Sequence, residues 1–408
     1  MSHTIAMLSV HTSPLDSPGR TKDAGGMNVY IRALAAELGR RGDTIDIFTR
    51  RTNTHTPQVV QLAPNVRVIH INAGPQASVH KNSLFPYLSS FVAQIVLFAE
   101  AEARHYDVLH THYWLSGVAG MQLAQRWDIP HVTMFHTLAR LKQLANPNEQ
   151  EPQQRLDMEQ RLIQSVDCVI AATEDERTQM MRYCGATANY VQVIPCGVDL
   201  ELFVPHERQQ AREQFGLDPY QPIVLFAGRL DPFKGPDILL RAAALMEEDA
   251  QIVIVGGALT DDKELQNLRT LAIELGIEQR VRFLGAQPQH VLPHLYSAAD
   301  VTVIPSYHES FGLVAVESLA CGTPVVATRA GGLMTVVSND ENGYLVPRCP
   351  GFFAERLDAI LGNPAIQARL HAEARRSVLQ FSWQSVANQV DEVYTDLVSE
   401  PRTSALFS

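Results

Sequence analysis

Two glutamates, Glu309 and Glu317, stand eight positions apart in the segment "SYHESFGLVAVES" (residues 306–318). The segment follows an apolar run typical of a buried strand and ends in an apolar stretch typical of a helix. Carboxylates near a helix start interact favourably with the helix dipole, so a solvated helix start is the ordinary interpretation. The alternative is a pair of functional carboxylates, and the choice depends on what other chemistry the chain offers.

A pair of basic residues lies in a comparable place in the segment "FAGRLDPFKGPD". A strand-like run ends at Gly228, and Arg229 and Lys234 then flank a proline turn that precedes a helix. An arginine can hold two phosphate oxygens with its planar guanidinium, and a lysine adds a compact charge. This pair is therefore a candidate diphosphate clamp, with a solvated loop as the alternative interpretation.

The first half of the chain carries weaker signals. Gly25 and Gly26 precede a helical stretch, and such a turn lets backbone N–H groups approach an anion, although a plain tight turn is the ordinary interpretation. The pattern is not the G-x-G-x-x-G fingerprint of dinucleotide-binding proteins. His110, His112 and His136 lie near the ends of strand-like runs, where hydrogen-bonded structural histidines are more common than metal ligands.

Both halves of the chain alternate short apolar runs with helical stretches. The strand-like runs are "TIAMLSV", "TIDIFTR", "VRVIHIN", "DVLHTH", "HVTMFH" and "CVIAAT", then "PIVLFAG", "QIVIVGG", "RVRFLG", "VTVIPS" and "PVVAT". This alternation predicts two doubly wound α/β domains with parallel sheets, which we place at residues 1–198 and 199–380. A last helix, from about Trp383 to Val398 within residues 381–408, is expected to pack back onto the first domain. Ligands of doubly wound sheets bind at the carboxyl ends of the strands, where the polar residues named above lie.

The composition excludes several classes of protein. The chain has 408 residues, 46% of them hydrophobic and 19% charged, as in globular proteins, and no apolar run is long enough to span a bilayer. A net charge of −11 disfavours nucleic acid and anionic membranes as partners. The five scattered cysteines and the absence of a signal pattern favour a reduced, cytoplasmic setting.

Taken in order, the Gly-Gly turn, "GRLDPFKG" and the Glu-x7-Glu segment resemble the retaining glycosyltransferases of the GT-B fold. This group includes sucrose-phosphate synthase, sucrose synthase and the glycosyltransferase of mycothiol synthesis, and the resemblance covers nearly the whole chain. It implies two Rossmann-like domains that face a central cleft, a nucleotide-sugar donor, and no cofactor or metal ion. The lack of a D-x-D motif agrees with metal independence.

The resemblance also implies roles for the residues of the second half. Arg229 and Lys234 match the pair that holds the donor diphosphate and stabilises the departing nucleoside diphosphate. Glu309 matches the residue that binds hydroxyls of the transferred sugar, and Glu317 matches the residue that binds the ribose hydroxyls. Further donor contacts are implied for Phe311, Gly312 and Leu313, for Arg282 and Leu284 near the base, and for Gly25 and Gly26 near the phosphate.

In the first half, the resemblance implies a catalytic contact and an acceptor site. His136 matches the histidine that contacts the donor sugar near the reacting carbon. Four residues match a set that binds the phosphate of an inositol phosphate, and Asn28 follows the glycines where it could meet acceptor hydroxyls. The four are Lys81, Tyr113, Thr137 and Arg155. We therefore expect a phosphorylated acceptor.

A phosphate does not identify the ring that carries it. Sucrose-phosphate synthases usually have a glutamine soon after the Gly-Gly, whereas this chain has Met27-Asn28, which favours an inositol phosphate. His308 stands where a small serine is expected in the mycothiol enzyme and would crowd an N-acetyl group. We expect transfer of glucose from UDP-glucose to fructose 6-phosphate. The alternative is transfer of N-acetylglucosamine from UDP-N-acetylglucosamine to inositol 3-phosphate.

Two other classes of protein share the predicted architecture. A solute-binding protein would need an export signal, which the sequence lacks. A nucleotide-sugar epimerase would need acid–base carboxylates and histidines in its own order, and "GRLDPFKG" has no place in it. The epimerase remains the alternative from a different class.

Overall fold

The computed structural model describes residues 2–16, 25–258 and 263–399. These residues form two compact units. The first unit contains the beginning of the chain, Met27–Ile194, and the helix that starts at Trp383. The described residues of the second unit are Gly25, Gly26 and Pro195–Ser382. The last part of the predicted terminal segment, residues 400–408, lies outside the described residues.

Eight strands form the sheet of the first unit. They are β1 (Thr4–Leu8), β2 (Thr44–Arg50), β3 (Val59–Ala63), β4 (Val66–Ile71), β5 (Val108–His112), β6 (His131–Met134), β7 (Cys168–Ala171) and β8 (Val191–Val193). Their order in the sheet is β3-β4-β2-β1-β5-β6-β7-β8. The β3–β4 pair is antiparallel, and the other pairs are parallel.

Helices cover this sheet. In the described residues before the second unit they are α1 (Gly26–Arg40), α2 (Leu88–Ala101), α3 (Trp114–Trp127), α4 (Ala139–Ala145), α5 (Gln153–Ser165) and α6 (Glu174–Tyr183). The last helix, Trp383–Ser399, also packs in this unit. The Tyr394 hydroxyl lies 2.6 Å from His110 Nδ1, and the Trp383 ring meets the Tyr30 ring edge-on. Both contacts bury the apolar face of the last helix against the first unit.

Six parallel strands form the sheet of the second unit. They are β9 (Ile223–Ala227), β10 (Gln251–Val255), β11 (Val281–Gly285), β12 (Val301–Ile304), β13 (Val325–Thr328) and β14 (Gly343–Val346), in the order β11-β10-β9-β12-β13-β14. The described helices of this unit are α7 (Arg208–Gln214), α8 (Pro236–Ala243), α9 (Lys263–Glu274), α10 (Leu292–Ala298), α11 (Leu313–Ala320), α12 (Leu333–Val336), α13 (Pro350–Leu361) and α14 (Pro364–Ala374). The last helix is therefore α15.

All eleven predicted strands are present, and the α/β fold with two Rossmann-like sheets is confirmed. Sequence patterns missed β3, β8 and β14. The strand β3 is a half-exposed antiparallel edge, and β8 has three residues, so neither shows a continuous apolar run. The strand β14 begins at Gly343, where a Cβ would lie 1.9 Å from the Val325 carbonyl oxygen. Glycine is needed there for close strand packing, yet in sequence it suggests a turn.

The strand order reverses once in each sheet, which fixes where a ligand can bind. The chain runs outward from β1 to β2 and β4, then returns to place β5 beside β1. In the second sheet it runs from β9 to β11 and returns to place β12 beside β9. Connections leave such a pair of strands in opposite directions, so a crevice opens at their carboxyl ends. The crevices are therefore expected after β1 and β5 and after β9 and β12.

Candidate active site

A short ion pair lies at the reversal point of the second sheet. Lys234, in the loop between β9 and α8, places its Nζ 2.6 Å from Oε1 of Glu309, in the loop between β12 and α11. The Ser306 hydroxyl donates to the same carboxylate oxygen over 2.7 Å. The structure therefore brings together two of the predicted catalytic residues, which are 75 positions apart in the sequence.

The charge of Glu309 is maintained by its neighbours. Burial acts to raise the pKa of this carboxyl, but the Lys234 ammonium and the hydrogen bonds from Lys234 and Ser306 outweigh burial and lower the pKa below its usual value. Glu309 is consequently an ionised hydrogen-bond acceptor at neutral pH.

Glu317 has the opposite electrostatic character. It lies on α11, about 6 Å along the helix axis from Leu313, and is nearly fully buried. Burial raises the pKa of its carboxyl to about 7, although the Tyr296 hydroxyl donates to Oε2 over 2.9 Å and favours the charged form. The glutamates of the opening segment thus differ in protonation, and Glu317 titrates near neutrality.

The loop between the two glutamates is fixed by glycines. Gly312 caps α11 with φ 106°, a left-handed conformation that disfavours other residues. Gly332 donates its N–H to the Glu309 carbonyl over 2.7 Å, and a Cβ on Gly332 would lie 2.4 Å from the Phe311 Cα. Phe311 is buried edge-on against Phe381. This packing presents the backbone of residues 311–313 at the N-terminus of α11.

The other residues predicted to bind the nucleotide sugar include two arginines with exposed side chains. Arg229 follows β9 and pairs with Asp231 over 3.2 Å, so it lies in the same loop as Lys234 and keeps a largely exposed side chain. Arg282 and Leu284 lie on the edge strand β11, and Arg282 is exposed near its beginning. Arg282 is therefore not at the carboxyl end of its strand, and the structure does not bring it to the Lys234–Glu309 pair.

In the first unit, three of the four predicted phosphate ligands touch one another. The Arg155 guanidinium carbon lies 4.8 Å from the centre of the Tyr113 ring. Arg155 Nη2 donates to the Thr137 carbonyl oxygen over 2.8 Å and to the Thr137 hydroxyl over 3.2 Å. Lys81 begins a short 3-10 helix, Lys81–Ser83, and is half-buried. Sequence reasoning thus selected residues that converge after β5 and β6.

The guanidinium of Arg155, one of the predicted phosphate ligands, is already engaged by the protein in this structure. Arg155 is buried, with Nε 2.6 Å from Glu159 Oε1 and Nη1 2.9 Å from Glu151 Oε2. All three guanidinium nitrogens therefore bind protein oxygens. Lys142 contacts both Glu151 and Glu149, so the network holds two cations and three carboxylates. Glu151 and Glu159 each stand four positions from Arg155, a spacing that favours ion pairs on a helix and is the sequence signal for this network.

Three histidines pack in the interior of the first unit. His112 Nδ1 lies 3.1 Å from His136 Nε2, and the rings of His110 and His112 are 4.3 Å apart. Burial lowers the pKa of His110 and of His136 to about 3 and lowers that of His112 well below its usual value. The cluster is neutral at pH 7. No group of three or more metal-binding side chains was found among the described residues.

Backbone strain marks two predicted site residues. Tyr113, directly after β5, has φ 74°, and His136, after β6, has φ 59°. Such conformations cost about 1–3 kcal/mol for residues other than glycine and persist where the surroundings impose them. Their location at the carboxyl ends of adjacent strands agrees with a functional role for this edge of the sheet.

The residues at the start of α1 have mixed placements. Asn28 is buried, and its Nδ2 donates to the Thr12 hydroxyl over 2.9 Å and to the Ser13 carbonyl over 2.6 Å. Its amide therefore fixes the segment after β1. Gly26 begins α1. A Cβ on Gly25 would meet no described atom within 4 Å, so packing does not require glycine there.

Family models match both halves of the chain. The model described as "Glycosyl transferases group 1" matches residues 207–377, and "Glycosyltransferase Family 4" matches residues 24–202. A protein of Xylanimonas cellulosilytica named D-inositol 3-phosphate glycosyltransferase is 44% identical over 401 residues, which cover 96% of each chain.

Solved structures agree with this relationship. Sucrose-phosphate synthase from Thermosynechococcus elongatus superposes with a TM-score of 0.90 at 35% identity, covering 97% of this chain and 99% of that one. Anabaena HepE in complex with UDP and glucose superposes with a TM-score of 0.78 at 25% identity, covering 97% and 100%. The chain belongs to the group 1 glycosyltransferases of the GT-B fold, which transfer a sugar from a nucleotide sugar. No helix of the described residues has the length and apolar character needed to cross a bilayer.

Proposed function

We propose that this chain transfers a sugar from a UDP-sugar to inositol 3-phosphate, with retention at the anomeric carbon and without a metal ion. Eight relatives between 39% and 44% identical carry the name D-inositol 3-phosphate glycosyltransferase. They favour the alternative acceptor of the sequence analysis over fructose 6-phosphate. The observation that carries the proposal in the structure is the contact of Tyr113 and Thr137 with Arg155.

The acceptor phosphate is held in this proposal by residues around Arg155. Because the Arg155 guanidinium already binds Glu151, Glu159 and Thr137, its role is to orient Tyr113 and Thr137. The Thr137 side chain is exposed, and Lys81 is half-buried. These two residues supply the hydroxyl and the ammonium group for the phosphate, with the hydroxyl of Tyr113.

The donor is held in the second unit. Arg229 and Lys234 bind the diphosphate, Glu309 accepts hydrogen bonds from the sugar hydroxyls, and Glu317 accepts them from the ribose. UDP as the nucleotide is supported by the likeness to the Anabaena structure, which was solved in complex with UDP and glucose. A carboxylate already ionised at neutral pH, such as Glu309, suits hydroxyl groups because it is an acceptor only.

The chemistry requires stabilisation of a departing diphosphate. The bond between the anomeric carbon and the diphosphate oxygen breaks, and negative charge grows on that oxygen next to Lys234 and Arg229. The acceptor hydroxyl oxygen bonds to the same face of the carbon, and its proton passes to the departing diphosphate oxygen. Neither Glu309 nor Glu317 acts as a nucleophile, unlike the paired carboxylates of a retaining glycosidase. The neutral His136 contributes a hydrogen bond near the reacting carbon rather than a charge.

Transfer of glucose to fructose 6-phosphate is the second candidate. The likeness to the sucrose-phosphate synthase, with 35% identity over nearly the whole chain, supports it. His308 also supports it, because its ring lies close to Gly331 beside Glu309, the residue proposed to bind the transferred sugar. The two candidates share the donor machinery and differ in the acceptor ring.

A matrix of donors and acceptors tests the proposal. UDP-N-acetylglucosamine, UDP-glucose, ADP-glucose and GDP-glucose are each combined with inositol 3-phosphate, inositol, fructose 6-phosphate and fructose, with and without EDTA. We expect rapid UDP release only with inositol 3-phosphate, unaffected by EDTA, and an α-linked product by NMR. Preference for fructose 6-phosphate would select the second candidate. Equal use of inositol and its phosphate would contradict the phosphate site, and formation of a 2-epimer of the donor sugar would contradict transfer.

A further inference from the structure

Arg348 contacts both loops that carry the Lys234–Glu309 pair. It lies between β14 and α13, and its Nε donates to the Pro305 carbonyl oxygen over 2.9 Å. Its Nη2 donates to the Pro232 carbonyl oxygen over 3.2 Å. The first carbonyl belongs to the loop after β12, and the second belongs to the loop after β9. A single guanidinium from a third loop therefore connects the loop of Glu309 with the loop of Lys234.

The same guanidinium is stacked on an aromatic ring of the Glu309 loop. Its central carbon lies 3.5 Å from the centre of the Tyr307 ring, two positions before Glu309. Tyr307 is itself tied to the other loop, because its N–H donates to the Phe233 carbonyl over 2.9 Å and the two rings are 5.9 Å apart. Phe233 directly precedes Lys234. Pro305 and Tyr307 precede Glu309 by four and two positions, and Pro232 precedes Lys234 by two. Each contact of Arg348 is therefore close in sequence to a residue of the pair.

The fit around these contacts leaves little freedom. Gly235 has φ 74°, and a Cβ there would lie 2.4 Å from the Pro305 carbonyl oxygen and 3.0 Å from Arg348 Nη2. The two loops therefore touch at their backbones, and Arg348 closes the junction from one side. A shift of either loop would change the 2.6 Å separation between Lys234 Nζ and Glu309 Oε1.

We propose that Arg348 is a positioning residue that fixes the distance between the Lys234 ammonium and the Glu309 carboxylate during sugar transfer. The proposal rests on the proposed roles of that pair. An arginine suits this position because its planar group donates to two carbonyls while its face stacks on a ring. A lysine keeps the charge and can donate to a carbonyl, but it lacks the planar group that stacks on the ring, so it preserves only part of the arrangement.

The effect on catalysis follows from geometry. Misplacement of a catalytic group by about 1 Å can slow a reaction on the order of 10²-fold. We expect Arg348→Ala to lower kcat by roughly 10- to 100-fold while the KM for the donor changes much less. Arg348→Lys should recover part of the loss, and Arg348→Met, which keeps an apolar stem over Tyr307, should recover less.

Arg356→Ala is the matched control. Arg356 lies on α13 of the same unit and stacks on Tyr344 at 5.2 Å, but it contacts neither loop. Its loss removes the same charge and the same kind of stacking from the unit, so we expect kcat within about twofold of the parent, as for most exposed substitutions. A fall in kcat equal to that of Arg348→Ala would overturn the proposal. If the alanine variant fails to fold, the lysine and methionine variants carry the comparison.

A double-mutant cycle separates positioning from general support. If Arg348 acts through Lys234, then Arg348→Ala should slow the parent protein but have little further effect in the Lys234→Ala background. The same fold-reduction in both backgrounds would overturn the proposal. Should Lys234→Ala alone leave turnover unchanged, the proposed role of the pair fails. Should Lys234→Ala be slow but Arg348→Ala and Arg348→Lys match the parent, only the positioning role fails.

The pH dependence supplies a readout that a loss of stability would not change. The Lys234 ammonium lowers the pKa of Glu309, so a displaced ammonium would let that pKa rise. The acid limb of the kcat profile should therefore move to higher pH in Arg348→Ala and stay in place in Arg356→Ala. An acid limb at the parent position in Arg348→Ala would contradict displacement of the pair.

Discussion

The candidate residues of both units lie near the carboxyl ends of strands but differ in how their charges are satisfied. In the second unit, Lys234 binds Glu309, and neither side chain is deeply enclosed, with 24% and 16% of their surfaces exposed. In the first unit, Arg155 is 2% exposed and lies between two carboxylates and a carbonyl. The Lys234–Glu309 pair therefore retains capacity to bind a ligand, whereas the guanidinium of Arg155 is already fully bonded to protein oxygens.

This difference indicates a division of roles. An ammonium has three donors, and among the described residues Lys234 donates to Glu309 alone, so two donors remain for a diphosphate. The guanidinium of Arg155 has all three nitrogens engaged by the protein. We therefore expect the removal of Lys234 to affect turnover and the removal of Arg155 to affect folding.

Removal of Arg155 should mainly destabilise the protein. Arg155→Ala leaves the buried Glu159 without its cation and Glu151 with Lys142 alone, and breaking a buried ion pair costs about 3–5 kcal/mol. Urea unfolding followed by circular dichroism measures the loss. The double variant Arg155→Met with Glu159→Leu should be more stable than Arg155→Ala, because it leaves fewer buried charges unpaired. An Arg155→Ala protein of parent stability with a raised acceptor KM would instead restore Arg155 as a direct phosphate ligand.

Removal of Lys234 should mainly slow turnover. In the proposed mechanism Lys234→Ala deletes a charge next to the departing diphosphate, and loss of such a group costs on the order of 10²-fold in kcat. Lys142 is a matched control, because it also pairs with carboxylates and has a similar exposure, 22% against 24%. Slow hydrolysis of the donor without acceptor is the readout, and Lys142→Ala should leave it near the parent rate. Equal rates for the two variants would remove Lys234 from the mechanism.

The comparison also explains which parts of the site the sequence revealed. Arg229, Lys234, Glu309 and Glu317 lie in two strand–loop–helix segments, so local patterns place them at strand ends. The partners of Arg155 come from a loop and its own helix, and their spacing of four positions suggests ion pairs without showing that the guanidinium is buried between them. Arg348 has no signal at all, since an arginine after a short strand is ordinary in sequence. Such contacts depend on packing between distant segments, which periodicity does not encode.

The buried histidines of the first unit should make the stability of the protein depend on pH in the acidic range. His110 has a pKa of about 3 in the folded protein, below the ordinary value of 6.5, so the unfolded chain binds more protons between these limits. Stability from His110 is full above about pH 6.5 and falls as the pH drops toward 3, by about 1.4 kcal/mol per pH unit. Urea titrations between pH 5 and pH 6.5 should give a shallower dependence on pH in His110→Asn.

A variant of Glu176 is the control, because this residue affects the dependence of stability on pH in the opposite direction. Burial raises the pKa of Glu176 from about 4.5 to about 7, so the folded protein binds the extra proton between these values. Glu176 therefore opposes the effect of His110, and Glu176→Gln should steepen the dependence of stability on pH. Parallel slopes for the parent and both variants would show that these groups keep ordinary protonation in the fold.

Glu317 gives the smallest expected effect and the sharpest contrast with Glu309. Its pKa of about 7 means that donor binding must favour the ionised carboxylate, if its role is to accept hydrogen bonds from ribose hydroxyls. Glu317→Gln mimics the protonated form, and loss of a hydrogen bond to a charged group costs about 1.5 kcal/mol or more, roughly tenfold in Kd. The ratio of variant to parent Kd for UDP, measured by calorimetry, should therefore be about tenfold at pH 8.5 and should approach one at pH 6, because the parent is then largely protonated.

The ratio cancels the ionisation of UDP itself, and the exposed Glu341→Gln serves as the control with no change at either pH. A ratio that does not vary with pH would mean that Glu317 stays in one protonation state, and it would place the titrating carboxyl of this unit elsewhere.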